Sequence, residues 1–157
     1  MADTIEINDD QQVEAIEKML ASTRATVRDY LQNIFPDFVE FDDGSFTVSE
    51  GSAVISIMVR PWHVGDVAVE FTSHLVSGAT ITAEAMRWLL QKNVEIHFGA
   101  FGLLFDDTIV YSQTLPGGDL SSAEFEATIL TVARIADHYD DEIVAMIGGS
   151  TAASNGA

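Results

Sequence analysis

Four histidines and 25 carboxylates are the side chains of this 157-residue sequence that could bind a metal or move a proton. Glu70 and His74, four residues apart in a stretch that alternates like a strand, fall on one face. His138 stands inside the acidic run Asp137-His138-Tyr139-Asp140-Asp141-Glu142. A metal site needs ligands converging at roughly 2.0–2.6 Å from separate elements. An acidic run on a helix does not gather three carboxylates on one face, so solvation explains it better. Gly117-Gly118 precedes a helical pattern and could offer amides to an anion, but Asp119 follows directly and would repel it. The sequence holds no glycine-lysine phosphate loop, dinucleotide fingerprint, nucleophile elbow or zinc-protease helix, and no cysteine. The reading is of a chain with no catalytic set, no metal and no cofactor.

Seven basic residues face those 25 acidic ones, a formal net charge of −18. Such a chain is repelled by phosphate backbones and anionic lipid, which argues against nucleic-acid and membrane-surface roles. It would attract a basic or amphipathic polypeptide, although the same charge also serves solubility. The apolar runs, such as Ala53 to Val59, are too short to span a bilayer. The opening MADTIEINDD is acidic where a signal peptide is basic, so a cytoplasmic protein is expected. A hydrophobic content of 47% suffices for one packed core at this length. One domain over residues 1–149 is expected, with the small, polar residues 150–157 as a disordered tail.

Three helices and five strands would hold these residues. Val13, Ile16, Leu20, Val27, Leu31 and Ile34 recur at helical spacing after Asp9-Asp10, and Pro36 should end that helix. Strands are expected at Ser45 to Ser49, Ala53 to Arg60 and Asp66 to Val76, with Pro61 to Gly65 as a turn that leaves Trp62 in a loop. Thr82 should cap a helix over Ala83 to Gln91. Strands at Val94 to Phe105 and Thr108 to Thr114 follow, joined through Asp106-Asp107. Ser121 and Glu124 form a capping box, flanked by Leu120 and Phe125 at staple positions, for a last helix that Gly148 ends. The order α-β-β-β-α-β-β-α predicts an α+β fold, an antiparallel sheet with helices mainly on one face.

Two strand features point to a partner. The second face of Ala53 to Arg60 reads Val54, Ser56, Met58, Arg60, only half polar where a wet face should be polar throughout. Phe98-Gly99-Ala100-Phe101-Gly102 places two glycines in a strand, which marks a bulge or a close approach of another backbone. Trp62 could anchor a partner or cover the sheet's end. Trp88 and Leu89 sit on a helix too apolar to be solvated all round.

At Pro61-Trp62, Trp88-Leu89-Leu90-Gln91-Lys92-Asn93, Phe98-Gly99-Ala100-Phe101 and Ala136-Asp137-x-Tyr139-Asp140 the chain resembles the bacterial YbjN-type proteins, a group related to the acidic chaperones of type III secretion. The resemblance runs from about Gln11 to Gly149. It implies the secretion-chaperone fold, homodimers and the binding of peptides or other proteins, and it supplies no catalytic residues. The expectation is therefore a non-enzymatic, chaperone-like module that binds a peptide or protein client and acts as a homodimer. A regulatory or scaffold domain with one fixed partner is the alternative. The expected partner-contacting residues are Val54, Met58, Arg60, Trp62, Phe98 and Phe101. Those expected at the dimer interface are Trp88, Leu89, Gly99 and Gly102.

Overall fold

The computed structural model describes residues 9–63 and 65–151. Helix α1 spans Asp9–Ile34, and the short strand β1, Val39–Glu40, follows it. Strands β2 (Phe46–Glu50), β3 (Ala53–His63) and β4 (Asp66–Ser77) form a meander. Helix α2 (Ala83–Glu95) leads to β5 (Ala100–Leu103) and β6 (Ile109–Pro116), and α3 (Ser122–Ile147) to β7 (Ser150–Thr151). Every pairing is antiparallel, in the order β1-β2-β3-β4-β6-β5, with β7 added to the end of β4. This is the expected α+β architecture.

Alternation decides which side of the sheet is dry. Ile55, Ile57 and Val59 of β3 and Val67, Val69 and Phe71 of β4 are buried beneath α1 and α3. Helix α3 supplies Phe125, Ile129, Val132, Ala133, Ala136 and Ile143 to that layer. Phe125 stands edge-on to Phe71 at 5.4 Å and tilts against Tyr30 at 5.6 Å, which ties α3 to both the sheet and α1. The Tyr30 hydroxyl donates to the Leu120 carbonyl at 2.8 Å, fixing the approach to α3. There the Glu124 amide donates to Ser121 Oγ at 3.2 Å while the Glu124 carboxylate receives the Ser121 amide, the reciprocal pair read from the sequence. Thr82 caps α2 in the same manner, accepting from the Ala85 amide at 3.1 Å.

Four expectations need correction. Helix α2 continues past Gln91 to Glu95, so Val94 is helical and 88% exposed rather than the first residue of a strand. A Lys92–Glu95 ion pair at 2.7 Å lies across that last turn, and no glycine or proline interrupts it. The following strand shrinks to Ala100–Leu103. Strand β3 runs through Pro61 and Trp62, which are not a loop. Proline is tolerated there because the ladder from β2 ends at Ile57, so this part of β3 is a sheet edge. The terminal stretch begins as β7, with Ser150 and Thr151 opposite Ser77 and Val76, and residues 152–157 lie outside the described residues. The hairpin strand β1 had no signal in the sequence, being two residues long.

Removing the cap hydroxyl leaves a first-turn amide of α3 unsatisfied. Ser121→Ala should therefore lower stability by about 1 kcal/mol, read as a lower denaturation midpoint at unchanged m-value.

Candidate binding surfaces

Strand β3 outruns its neighbour. Ile57 is opposite Phe46, the first residue of β2, whereas Met58, Val59, Arg60 and Pro61 have ladder partners in β4 alone. A cleft of about 150 Å³ opens beside this overhang, lined by Arg24, Asp43, Gly44, Ser45, Met58, Val59 and Arg60. Met58 and Arg60 lie on the sheet face away from α1 and α3. An Arg60 guanidinium N–H donates to Met58 Sδ at 3.0 Å, and its Nε pairs with Glu70 at 2.8 Å, so Arg60 lies flat over that face. Trp62, further along, is 62% exposed. Inside the cleft, Arg24 Nε is buried with no hydrogen-bond partner among the described residues. A buried donor in that state carries an unmet desolvation cost. Nearby, Arg28 forks onto the Glu40 carboxylate and holds β1 to α1. That contact holds the Glu40 carboxyl below its ordinary range and raises the Arg28 guanidinium.

The opposite edge of the sheet is closed. The Phe101 amide donates to Asn93 Oδ1 at 2.7 Å, and Asn93 Nδ2 donates to the Phe101 carbonyl at 3.2 Å. One side chain of α2 thus occupies both main-chain groups of Phe101, and a strand adding to β5 would have to displace it. Gly99, at φ +70°, brings the chain in so tightly that a methyl there would stand 2.5 Å from the Ser112 carbonyl. Between α2 and β5 runs a groove of about 240 Å³ lined by Met86, Leu89, Leu90, Asn93, Phe101, Gly102 and Leu103.

Of the six residues expected to meet a partner, Met58, Arg60 and Trp62 share the β3 overhang. Val54 is exposed on the same face at the other end of the strand. Phe98 is exposed after α2, on the far side of the sheet, where β5 lies three strand spacings, roughly 14 Å, from β3. Phe101 is largely buried and reaches the surface only at the floor of the α2–β5 groove. Its ring packs edge-on against Tyr111 at 5.4 Å and Tyr139 at 5.3 Å. Trp88, expected at a dimer interface, is half-buried against Phe101 and Tyr139, and Lys92 covers its ring at 5.6 Å. Leu89 and Gly102 do line the α2–β5 groove, and Gly99 acts through its backbone. Met86, Leu90, Leu103 and Phe105, all exposed, were missed. Helical spacing of Met86 and Leu90 over a longer α2 was the signal that could have found the first pair.

Among the described residues no group of three or more histidine, aspartate or glutamate side chains is placed to hold a metal ion, and no helix is long and apolar enough to cross a membrane. Asp140 sits beside Asp137 and Asp141, and burial leads the upward shift of its carboxyl.

A family model described as T3SS (YopN, CesT) and YbjN peptide-binding chaperone 1 matches residues 21–155. No curated protein matches the sequence. Among solved structures, a chain of the ExsC–ExsE complex aligns at TM-score 0.61 and 12% identity, covering 78% of this chain and 93% of that one. A chain of the HopA1–SchA chaperone–effector complex aligns at TM-score 0.52 and 9% identity, covering 81% and 94%. At such identities these likenesses establish a shared fold.

Two measurements check this side of the sheet. Asn93→Ala should speed amide exchange at Phe101 by about tenfold, the loss of one net hydrogen bond, read by hydrogen exchange. The Tyr111 phenol, buried and donating to the Phe98 carbonyl, is pushed up to about 12. The unfolded chain releases that proton near pH 10, so this contribution is complete below pH 10 and lost as pH rises towards about 12. Tyr111→Phe should flatten that alkaline loss in denaturation midpoints.

Proposed function

Because the chain belongs to the T3SS (YopN, CesT) and YbjN peptide-binding chaperones, we propose that it is a non-enzymatic module that holds an extended polypeptide segment along the overhang of β3 and works as a homodimer. The observation that carries this reading is the one-sided pairing of Met58 to Pro61 beside a cleft that contains an unsatisfied arginine donor. An entering strand would find main-chain groups to pair with, and Met58 and Trp62 for apolar contact. The surrounding acidity favours a basic or amphipathic segment. A structural neighbour seen in a chaperone–effector complex suggests the class of ligand. Homodimerisation is supported by the apolar α2–β5 side, where Met86, Leu90, Val94, Phe98 and Leu103 are all exposed.

The test uses a panel of basic amphipathic peptides, fluorescently labelled, titrated with the full chain. Binding should weaken with added salt without vanishing, since salt screens charge and leaves apolar burial intact. Met58→Asp should weaken it at least tenfold while the protein stays folded, because the side chain faces away from α1 and α3. Unchanged affinity in a folded variant would remove the β3 overhang as the site.

A further inference from the structure

Along a strand the main-chain groups of successive residues point to opposite sides, so only alternate residues of the β3 overhang face outward. Two contacts decide which. On one side the Phe41 amide donates to the Ser45 carbonyl at 2.9 Å, which turns Ser45 towards β1, Phe46 towards β3 and its partner Ile57 towards β2. On the other the Gly117 amide donates to the Val67 carbonyl at 2.8 Å. Val67 therefore points to β6, Ala68 and Glu70 point to β3, and their partners Arg60 and Met58 point to β4. Either way, Val59 and Pro61 face outward, into the lane that β2 has left. The register shifts between Pro61 and His63, so the regular edge ends there.

Proline has no N–H. The overhang therefore offers three groups: the N–H and carbonyl of Val59 and the carbonyl of Pro61. An added strand, in either direction, satisfies them with two amides, two residues apart, and one carbonyl. Its residue opposite Val59 shares that residue's face, beside the cleft lined by Arg24 and Ser45, and the residues on either side share the face of Met58 and Arg60. A second copy fits this edge badly. Two overhangs paired Val59 to Pro61 across a two-fold axis would form two hydrogen bonds where a residue with an N–H would allow four. Each copy also carries −18. Around the edge, Asp43, Asp66 and Glu70 stand against Arg24 and Arg60, a balance that favours a basic segment.

Resting on the client reading above, we propose that Pro61 sets the register and limits the length of the client strand. The segment admitted is a short basic one with free amides at two alternate positions, one donating to the Val59 carbonyl and the other to the Pro61 carbonyl. Pro61 determines specificity through the donor it lacks, since the client carbonyl that faces it gains no hydrogen bond.

The probe is the tightest-binding peptide of the basic amphipathic panel, titrated with the full chain. Backbone N-methylation, one residue at a time, removes one amide donor in each analogue. Affinity should fall about tenfold or more at two positions, two residues apart, and by less than about threefold at the residue between them. Pro61→Ala restores the missing donor and should raise affinity about fivefold. Pro61 is exposed on the sheet edge, so far-ultraviolet circular dichroism should be unchanged. If no peptide binds, or if Met58→Asp leaves the affinity unchanged, the client reading falls and this inference with it. If Met58→Asp weakens binding but N-methylation shows no such pair of positions, or Pro61→Ala does not raise the affinity, this inference alone is overturned.

Discussion

Phe125 and the residues that follow it on α3 bury one face of a sheet that is larger than the helices can cover. Its ring meets Phe71 in the sheet and Tyr30 in α1, so one side chain ties α3 both to the sheet and to the helix beside it. The capping box starts α3 four residues earlier and thereby sets which of its faces turns inward. Once α1 and α3 are docked, the opposite face and both ends of the sheet are left for other uses. A fold with fewer strands, or with a helix on each face, would leave neither the β3 overhang nor the α2–β5 groove.

The two ends of the sheet are treated differently, and that asymmetry separates two modes of association. At β3 the ladder is simply incomplete: β2 stops while β3 continues, and the proline within the overhang limits how far a partner strand can pair. At β5 the main-chain groups of Phe101 are occupied by Asn93. Backbone pairing is thus available on one side, and side-chain packing on the other. A free edge on both sides would invite open-ended strand pairing, and the Asn93 clamp on Phe101 removes one of them.

Charge acts over longer distances than either contact. An acidic chain repels copies of itself; within α2 Arg87 and Lys92 balance Glu84 and Glu95, but Asp106 and Asp107 follow β5 directly. The ion pairs of the structure are exposed, such as Arg28 with Glu40 and Arg60 with Glu70, and pairs of this kind contribute little to stability. Their role is to hold long side chains in place over apolar ones. Arg60 keeps Met58 covered on its polar side, and Lys92 does so for Trp88.

Local signals in the sequence determined most of the elements. Proline after α1, threonine and serine caps on α2 and α3, and alternation in β3 and β4 all act over a few residues, so they could be read without the fold. The inward residues of α3 and the open face carrying Met58 and Arg60 followed from periodicity alone. The fate of Val94, Phe101 and Trp62 depended on partners distant in the chain. Val94 looks like a strand residue until α2 runs on past Gln91. Phe101 alternates like a surface position until Tyr111 and Tyr139 close around it, and Trp62 belongs to a strand because β4 pairs with the residues on either side of it. Strand pairing and edge closure are contacts between segments, and no local pattern encodes which neighbour stops first. That is why the elements were legible in the sequence, whereas the overhang and the groove were decided by tertiary structure.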